Sequence, residues 1–332
     1  MLTLQPHPEN VHLCDMRMGK KTVQVWWHPI KNEDLKNRVE DMSTLFTPDM
    51  RSRFELSSKQ ADTILDHLKT GTVPESIQSK YFKVKRYVDE CLYTEMDIQD
   101  TPHSFEINFP AGSDTWPNNQ ILAGATSSGK TFNVVQRVLR NLNGPKKNRR
   151  HFLWFSSEWD SDKTIKELKK DKYREYVQGK DISDQSLKDS EHETAEDFFE
   201  YEIKLLWDNA TPGTCVVIDD PVDCMEGMQH LIRRLINKSL RVSRHKQTGL
   251  IFILHRIRSG AFSIQGHNSC KYFCLFPRSQ KGKCVQFLNQ DMGLTLGESR
   301  RMVHDFGQQG RAMNVQLFAP NCLIGDKLIR LI

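Results

Sequence analysis

Residues Gly124 to Thr131, Gly-Ala-Thr-Ser-Ser-Gly-Lys-Thr, constrain this chain more than any other stretch. They satisfy G-x-x-x-x-G-K-[ST], in which a glycine-bearing loop joins a strand to a helix and turns backbone N–H groups toward a phosphate chain. The flanks agree. Asn119 to Ala123 predicts a short buried strand, and Phe132 to Leu142 an amphipathic helix. A polyphosphate seated there meets the loop amides and the positive end of the helix dipole. The candidate nucleotide-binding residues are therefore Gly124, Ala125, Thr126, Ser127, Ser128, Gly129, Lys130 and Thr131. Lys130 is expected on the β and γ phosphates, and the Thr131 hydroxyl on Mg²⁺, so that ATP and Mg²⁺ are the implied ligands. A plain strand-to-helix turn would need the glycines but not the Lys-Thr pair that follows them.

A length of 332 residues suits one large α/β domain with a smaller module beside it. The longest wholly aliphatic or aromatic run is Leu250 to Leu254, well below the roughly 20 residues of a membrane span, so none is expected. The opening Met-Leu-Thr-Leu-Gln-Pro-His has no basic stretch leading into an apolar one, so no signal peptide is expected. Eight cysteines are scattered without a C-x-x-C pair, and the nearest two, Cys270 and Cys274, are expected on one strand face. Reduced thiols in a cytosolic or nuclear compartment fit that usage better than zinc or a disulfide framework. The net charge of +5 conceals an asymmetry. Residues 181–203 hold nine acidic side chains against the single basic Lys188, so the rest of the chain is more basic than its total. The acidic stretch is expected as an exposed, partly helical insertion. A basic body suits a polyanionic partner or merely a solvated surface.

The chain divides near residue 104. Residues 1–103 predict a small, mostly helical module of unknown role. It carries a strand at Thr22 to His28 and helices at Lys31 to Ser43, Ser57 to Thr70 and Pro74 to Leu92. The paired Trp26 and Trp27 are expected in its core. Residues 104–332 predict the α/β P-loop NTPase fold, a parallel sheet with helices on both faces, since short apolar runs alternate with helical stretches. The runs are Ser104 to Phe109, the strand before the P-loop, Phe152 to Phe155, Cys215 to Ile218, Leu250 to Leu254, Lys271 to Phe276 and Ala312 to Phe318.

Cys215-Val216-Val217-Ile218-Asp219-Asp220 is the second chemical signal. A buried strand ending in two carboxylates delivers them to the sheet edge where doubly wound folds bind ligands. Asp219 is expected on Mg²⁺, and Asp220 is expected to polarise the attacking water. Leu250 to Leu254 repeats the design with His255 at its tip, a candidate sensor of the γ-phosphate. Between those strands, Arg233 to Lys246 forms a basic helix that suits DNA phosphates or a solvated face. Arg244, Arg256, Arg258 and Arg278 near strand ends are all candidate arginine fingers, and the sequence does not choose among them.

The order of these motifs resembles a known family. It runs from the P-loop through Phe155-Ser-Ser-Glu-Trp-Asp160 and Val216-Val-Ile-Asp-Asp220 to Ser243-Arg244-His245 ahead of the His255 strand, then Asn268-Ser-Cys-Lys-Tyr-Phe273. Over roughly residues 104–290 this is similar to the genome-packaging ATPases of nucleocytoplasmic large DNA viruses and virophages. These are members of the FtsK–HerA superfamily of DNA translocases. The chain departs from that pattern at His255, where Gln is usual, and at His267, where Arg often precedes the Asn.

The resemblance implies a RecA-like fold and a homo-oligomeric ring. It also implies ATP hydrolysis that drives double-stranded DNA into a preformed capsid, with capsid or portal proteins as partners. The implied location is the host cytoplasm or nucleus, at the virus factory, or the virion. Three alternatives compete: a replicative helicase or other DNA-dependent ATPase, a membrane-associated P-loop protein of filamentous-phage assembly, which would need a membrane span, and a nucleotide-gated binding module. The 89 residues from Lys130 to Asp219 are longer than a superfamily 3 helicase leads one to expect, and the second carboxylate has no use in binding alone.

Overall fold

The structure is a computed structural model describing residues 2–4, 10–27, 45–70, 72–93, 103–107, 119–221, 224, 228–257, 269–317 and 321–332. It forms two compact units, residues 1–104 and 105–332. In the first, strands β1 (Leu2–Thr3), β2 (Val11–Met18) and β3 (Lys21–Trp27) make an antiparallel ladder in the order β1-β3-β2. Only one strand was expected here. The tryptophans are adjacent on β3, so they project to opposite faces, and both are only half-buried. Cys14, Met16 and Val25 fill the buried positions instead, a correction to the expected role of Trp26 and Trp27.

Helices Pro48–Arg53, Ser58–Thr70 and Gln78–Tyr93 complete this unit around Met50, Ile64, Tyr81, Val84 and Val88. A 3₁₀ turn, Glu75–Ile77, occupies the start of the last expected helix. The expected helix at Lys31 to Ser43 lies outside the described residues. Near the unit boundary, β4 covers His103–Glu106.

The second unit is built on a nine-stranded sheet. Its strands are β5 (Gln120–Ala123), β6 (Phe152–Ser156), β7 (Val177–Asp181), β8 (Cys215–Asp219), β9 (Gly249–Leu254), β10 (Tyr272–Leu275), β11 (Met313–Gln316), β12 (Cys322–Ile324) and β13 (Ile329–Leu331). Their spatial order is β13-β12-β11-β10-β5-β9-β8-β6-β7. The six strands from β10 to β7 are parallel, and β11, β12 and β13 continue antiparallel.

Burial on both faces explains why the central strands read as continuous apolar runs. Phe152, Trp154, Cys215, Val217, Ile251 and Ile253 face one core with Val134, Val135, Val138 and Leu142 of helix Lys130–Asn143. The alternate residues Leu153, Phe155, Val216, Ile218, Leu250, Phe252 and Leu254 face the other. That second core is closed by helices Met228–Lys246, Lys281–Gln290 and Leu296–Gln309. The last begins in a capping box between Thr295 and Glu298, which satisfies two amides at the helix start.

The acidic stretch is not a loosely attached insertion. β7 pairs in parallel with β6 from Val177 to Asp181, and Ile182 is fully buried. Ala195–Phe198, the π-helical turn Phe199–Lys204 and Leu205–Asp208 then bury Phe198, Phe199, Ile203 and Trp207. Trp207 stacks on Phe155 with ring centroids 6.1 Å apart. The carboxylates remain outside, where Glu202 meets Lys180 at 2.6 Å. Its charge had concealed an apolar face. A second correction concerns the cysteines. Cys274 belongs to the core on the P-loop-helix side and Cys270 to the opposite one.

Candidate active site

The parallel register sets the site. Ala123 of β5 is level with Leu254 of β9 and Leu275 of β10, while Ser156 of β6 is level with Asp219 of β8. Everything that follows these strands therefore emerges at one edge, on which the P-loop, Asp219-Asp220 and His255 converge.

The loop is shaped for close approach. Gly129 is left-handed at φ +98°, a conformation that costs a residue with a Cβ roughly 1–2 kcal/mol. Gly124 is not left-handed; a Cβ there would meet the Ser128 hydroxyl at 2.5 Å and the Phe276 ring at 2.8 Å. Its amide donates to the Leu254 carbonyl at 3.1 Å, which ties the loop to β9. Lys130, at the first position of the helix, is buried and donates to the Gly124 and Ala125 carbonyls at 3.0 and 3.1 Å. Burial pulls the ammonium pKa down, while Asp220 and then Asp219 oppose that shift. Ser128 Oγ is buried without a hydrogen-bond partner. A phosphate chain would suit both groups, as an alternative acceptor to the two carbonyls on Lys130 and a partner for Ser128.

Asp219 is 6% exposed and accepts from the Thr131 hydroxyl at 3.2 Å. Its carboxyl is pushed up to about 7, first by burial and then by Asp220, with Thr131 and Lys130 pulling the other way. A hard cation would offset both causes, because it favours the ionised carboxylate and takes oxygen ligands. The adjacent hydroxyl and carboxylate fit hydrated Mg²⁺. Asp220 turns away from its neighbour. Its backbone is left-handed, φ +50°, a conformation that aspartate tolerates better than most residues, and its amide donates to the Ile253 carbonyl at 3.0 Å. Consecutive carboxylates are thereby aimed apart, Asp219 at Thr131 and Asp220 at His255. His255 Nε2 lies 2.6 Å from Asp220 Oδ2.

The fold thus brings Lys130, Thr131, Asp219, Asp220 and His255 together. One residue of this cluster had no signal in the sequence. Gln280 precedes helix Lys281–Gln290 and donates from Nε2 to the His255 carbonyl at 2.9 Å, fixing the turn that presents the imidazole. Asp162, past β6, also raises the Asp219 pKa, behind burial and Asp220. Among the finger candidates, Arg278 donates to the Gly307 and Gln308 carbonyls at 2.7 and 3.2 Å and so anchors a helix C-terminus of its own chain. Arg256 is exposed beside His255. Arg258, His267 and Asn268 lie outside the described residues, as does the Arg244 side chain. Among the described residues no helix is long and apolar enough to cross a membrane.

Strand order, glycine loop and acidic strand end make this the fold of P-loop NTPases. No family model matches the chain, and no curated protein does. Solved structures similar to it include a genome packaging NTPase and a conjugation coupling protein. The genome packaging NTPase B204 from Sulfolobus turreted icosahedral virus 2, solved with AMP, is 15% identical with a TM-score of 0.38, covering 60% of this chain and 92% of that one. The complex of the same protein with ATP-gammaS gives 14% and 0.37, over 64% and 95%. The pCW3 conjugation coupling protein TcpA, with ATPgS, gives 15% and 0.35, over 63% and 60%.

Proposed function

We propose that this chain hydrolyses ATP to move double-stranded DNA, as a genome-packaging motor of the FtsK–HerA type. The convergence of Lys130, Thr131, Asp219, Asp220 and His255 at one sheet edge carries the ATPase part. The loop amides and Lys130 would hold the phosphates, and Thr131 and Asp219 would hold Mg²⁺, which when bound would neutralise phosphate charge. Asp220 accepts a proton from the attacking water, and His255 sits against that carboxylate, where it senses whether the γ-phosphate is present. An arginine from a neighbouring subunit would complete the site; of the candidates, Arg278 is tied to a helix end of its own chain and Arg256 is exposed.

The DNA part rests on the motif order and on helix Met228–Lys246. That helix contains no acidic residue. Leu235, Ile236 and Leu240 are buried, while His230, Arg233, Arg234, Lys238, Arg241 and His245 are exposed. At 100° per residue these exposed positions fall on one face, suited to phosphates and blind to base sequence.

The test is ATPase activity of the purified chain with and without linear duplex DNA, with Lys130→Ala as the blank. Stimulation by blunt duplex is expected, together with loss of duplex affinity in Arg234→Glu/Arg241→Glu. The salt slope should shrink by about one unit per phosphate contact removed. Stimulation only by forked DNA would favour a helicase, and unchanged affinity in the double variant would return the helix to a solvated face.

A further inference from the structure

Among the described residues, the three most exposed large apolar side chains are Tyr201, Phe132 and Leu205, at 64%, 58% and 53%. They fall in two patches of opposite charge. Phe132 lines a groove of about 610 Å³ between the P-loop helix and the connection after β6, together with Leu139, Lys163 and Lys172. That connection is basic: residues 163–174 hold six Lys or Arg against Glu167 and Asp171. Tyr201 and Leu205, four residues apart, point outward from the helical segment 195–208, whose other side buries Phe198, Ile203 and Trp207. This segment is acidic, with five carboxylates against Lys204, and Glu196, Asp197 and Glu200 are exposed.

The groove is built on the core that holds Val135 and Tyr173, and the 195–208 segment on the core across the sheet. The two patches therefore lie on opposite faces and do not meet within one folded chain. Exposed aromatic and aliphatic side chains ringed by charge are what contact surfaces present, and here the charges complement each other. We infer that the 195–208 segment of one copy of this chain docks into the Phe132 groove of a second copy, with Tyr201 and Leu205 against Phe132 and Leu139. The carboxylates of the segment then face Lys163 and Lys172. Groove on groove and segment on segment both repel, so charge sets the direction of the contact. Because unlike surfaces join, every copy keeps one patch of each kind for the next, and the assembly closes into a ring or runs on as a filament. Phe132 directly follows Thr131, so the docked copy sits beside the phosphate loop. The contact itself needs no nucleotide and does not rest on the ATPase reading.

The experiment measures the mass of the full chain by sedimentation, without nucleotide, over a range of concentrations. Wild type should associate, and Phe132→Ala and Leu205→Ala should each weaken association by about tenfold or more. Two charge reversals are then compared, Lys163→Glu/Lys172→Glu in the groove and Glu196→Lys/Glu200→Lys on the segment, with circular dichroism matched to wild type. Each alone should be monomeric. Mixed in equal amounts they should reassemble, because each intact patch meets its intact complement and each reversed patch meets a reversed one. A wild type that is monomeric at every concentration would overturn the contact. So would wild-type association in either charge variant, or two monomeric variants that stay monomeric when mixed. Loss in the groove variant alone would show the groove pairing with itself, which also overturns it.

Discussion

Two neighbouring strands end in carboxylates at the same sheet edge, yet they present them differently. β8 ends in Asp219-Asp220, and β6, level with it, runs out through Ser156-Ser157-Glu158. Asp219 is buried against Thr131, and Asp220 is turned by a left-handed backbone onto His255. Glu158 is exposed, and its backbone is held in the turn: the amide donates to Ser156 Oγ at 3.1 Å and the carbonyl accepts from the Asp162 amide at 2.9 Å. The strand ends therefore share a location but not an environment. What separates them is the neighbour: β8 lies between β6 and β9, so its tip is walled by His255 on one side, whereas β6 lies beside the edge strand β7. A carboxylate becomes chemically useful here when a second strand presses charge or hydrogen-bonding groups against it.

The comparison breaks most severely at Asp220. Asp220→Asn keeps the volume and removes the basic oxygen. Single-turnover hydrolysis should fall by about 10²–10⁴-fold while Mg·ATP affinity is retained. Near-wild-type turnover would move the base to β6, and Glu158 would be the residue to test.

Asp219 sharpens the contrast through stability. Burial and Asp220 hold its folded-state pKa at about 7, above the ordinary carboxylate value of 3.8. Between those values the folded chain holds a proton that the unfolded chain has released, so this group's contribution to stability is lost as pH rises toward 7. The loss approaches about 1.4 kcal/mol per pH unit across that window. Asp219→Asn should flatten this part of the melting-temperature profile and melt higher than wild type above pH 7 in the absence of nucleotide. Mg·ATP should then stabilise wild type but not the variant. A wild-type profile that is flat from pH 4 to 7 would show that Asp219 is not held in this buried, repelled state.

Legibility in the sequence followed locality and burial. The P-loop is a contiguous motif whose backbone demands fall on named residues, so it was readable from Gly124 to Thr131. β8 and β9 were readable because strands covered on both faces are uninterrupted apolar runs. β7, Val-Gln-Gly-Lys-Asp, was not, because only Val177 is buried in this edge strand and alternation disappears. β12 and β13, at three residues each, are too short to show a period. The apolar face of residues 195–208 was hidden by its charge and by a π-helical turn that breaks the 3.6-residue spacing. Gln280 could not be found at all, since its role exists only where its helix start meets the β9 tip.

The smallest effect is expected at Glu158, and it tests whether environment rather than position decides function. The loop that carries Glu158 is firmly placed. Trp159 next to it is buried, lies against Gly179 of β7 and against Trp154, and takes the Lys169 ammonium over its ring at 5.0 Å. Glu158 is thus exposed because a well-anchored turn directs it outward. If so, Glu158→Gln should change kcat by less than about threefold, well below the range typical of a general base. Trp159→Ala is the harsher control, since it frees the turn and lets the carboxylate sample the space near Asp219. A loss in Glu158→Gln comparable to that of Asp220→Asn would mean that the β6 carboxylate swings inward when nucleotide binds, and the two strand ends would then act together on the same water.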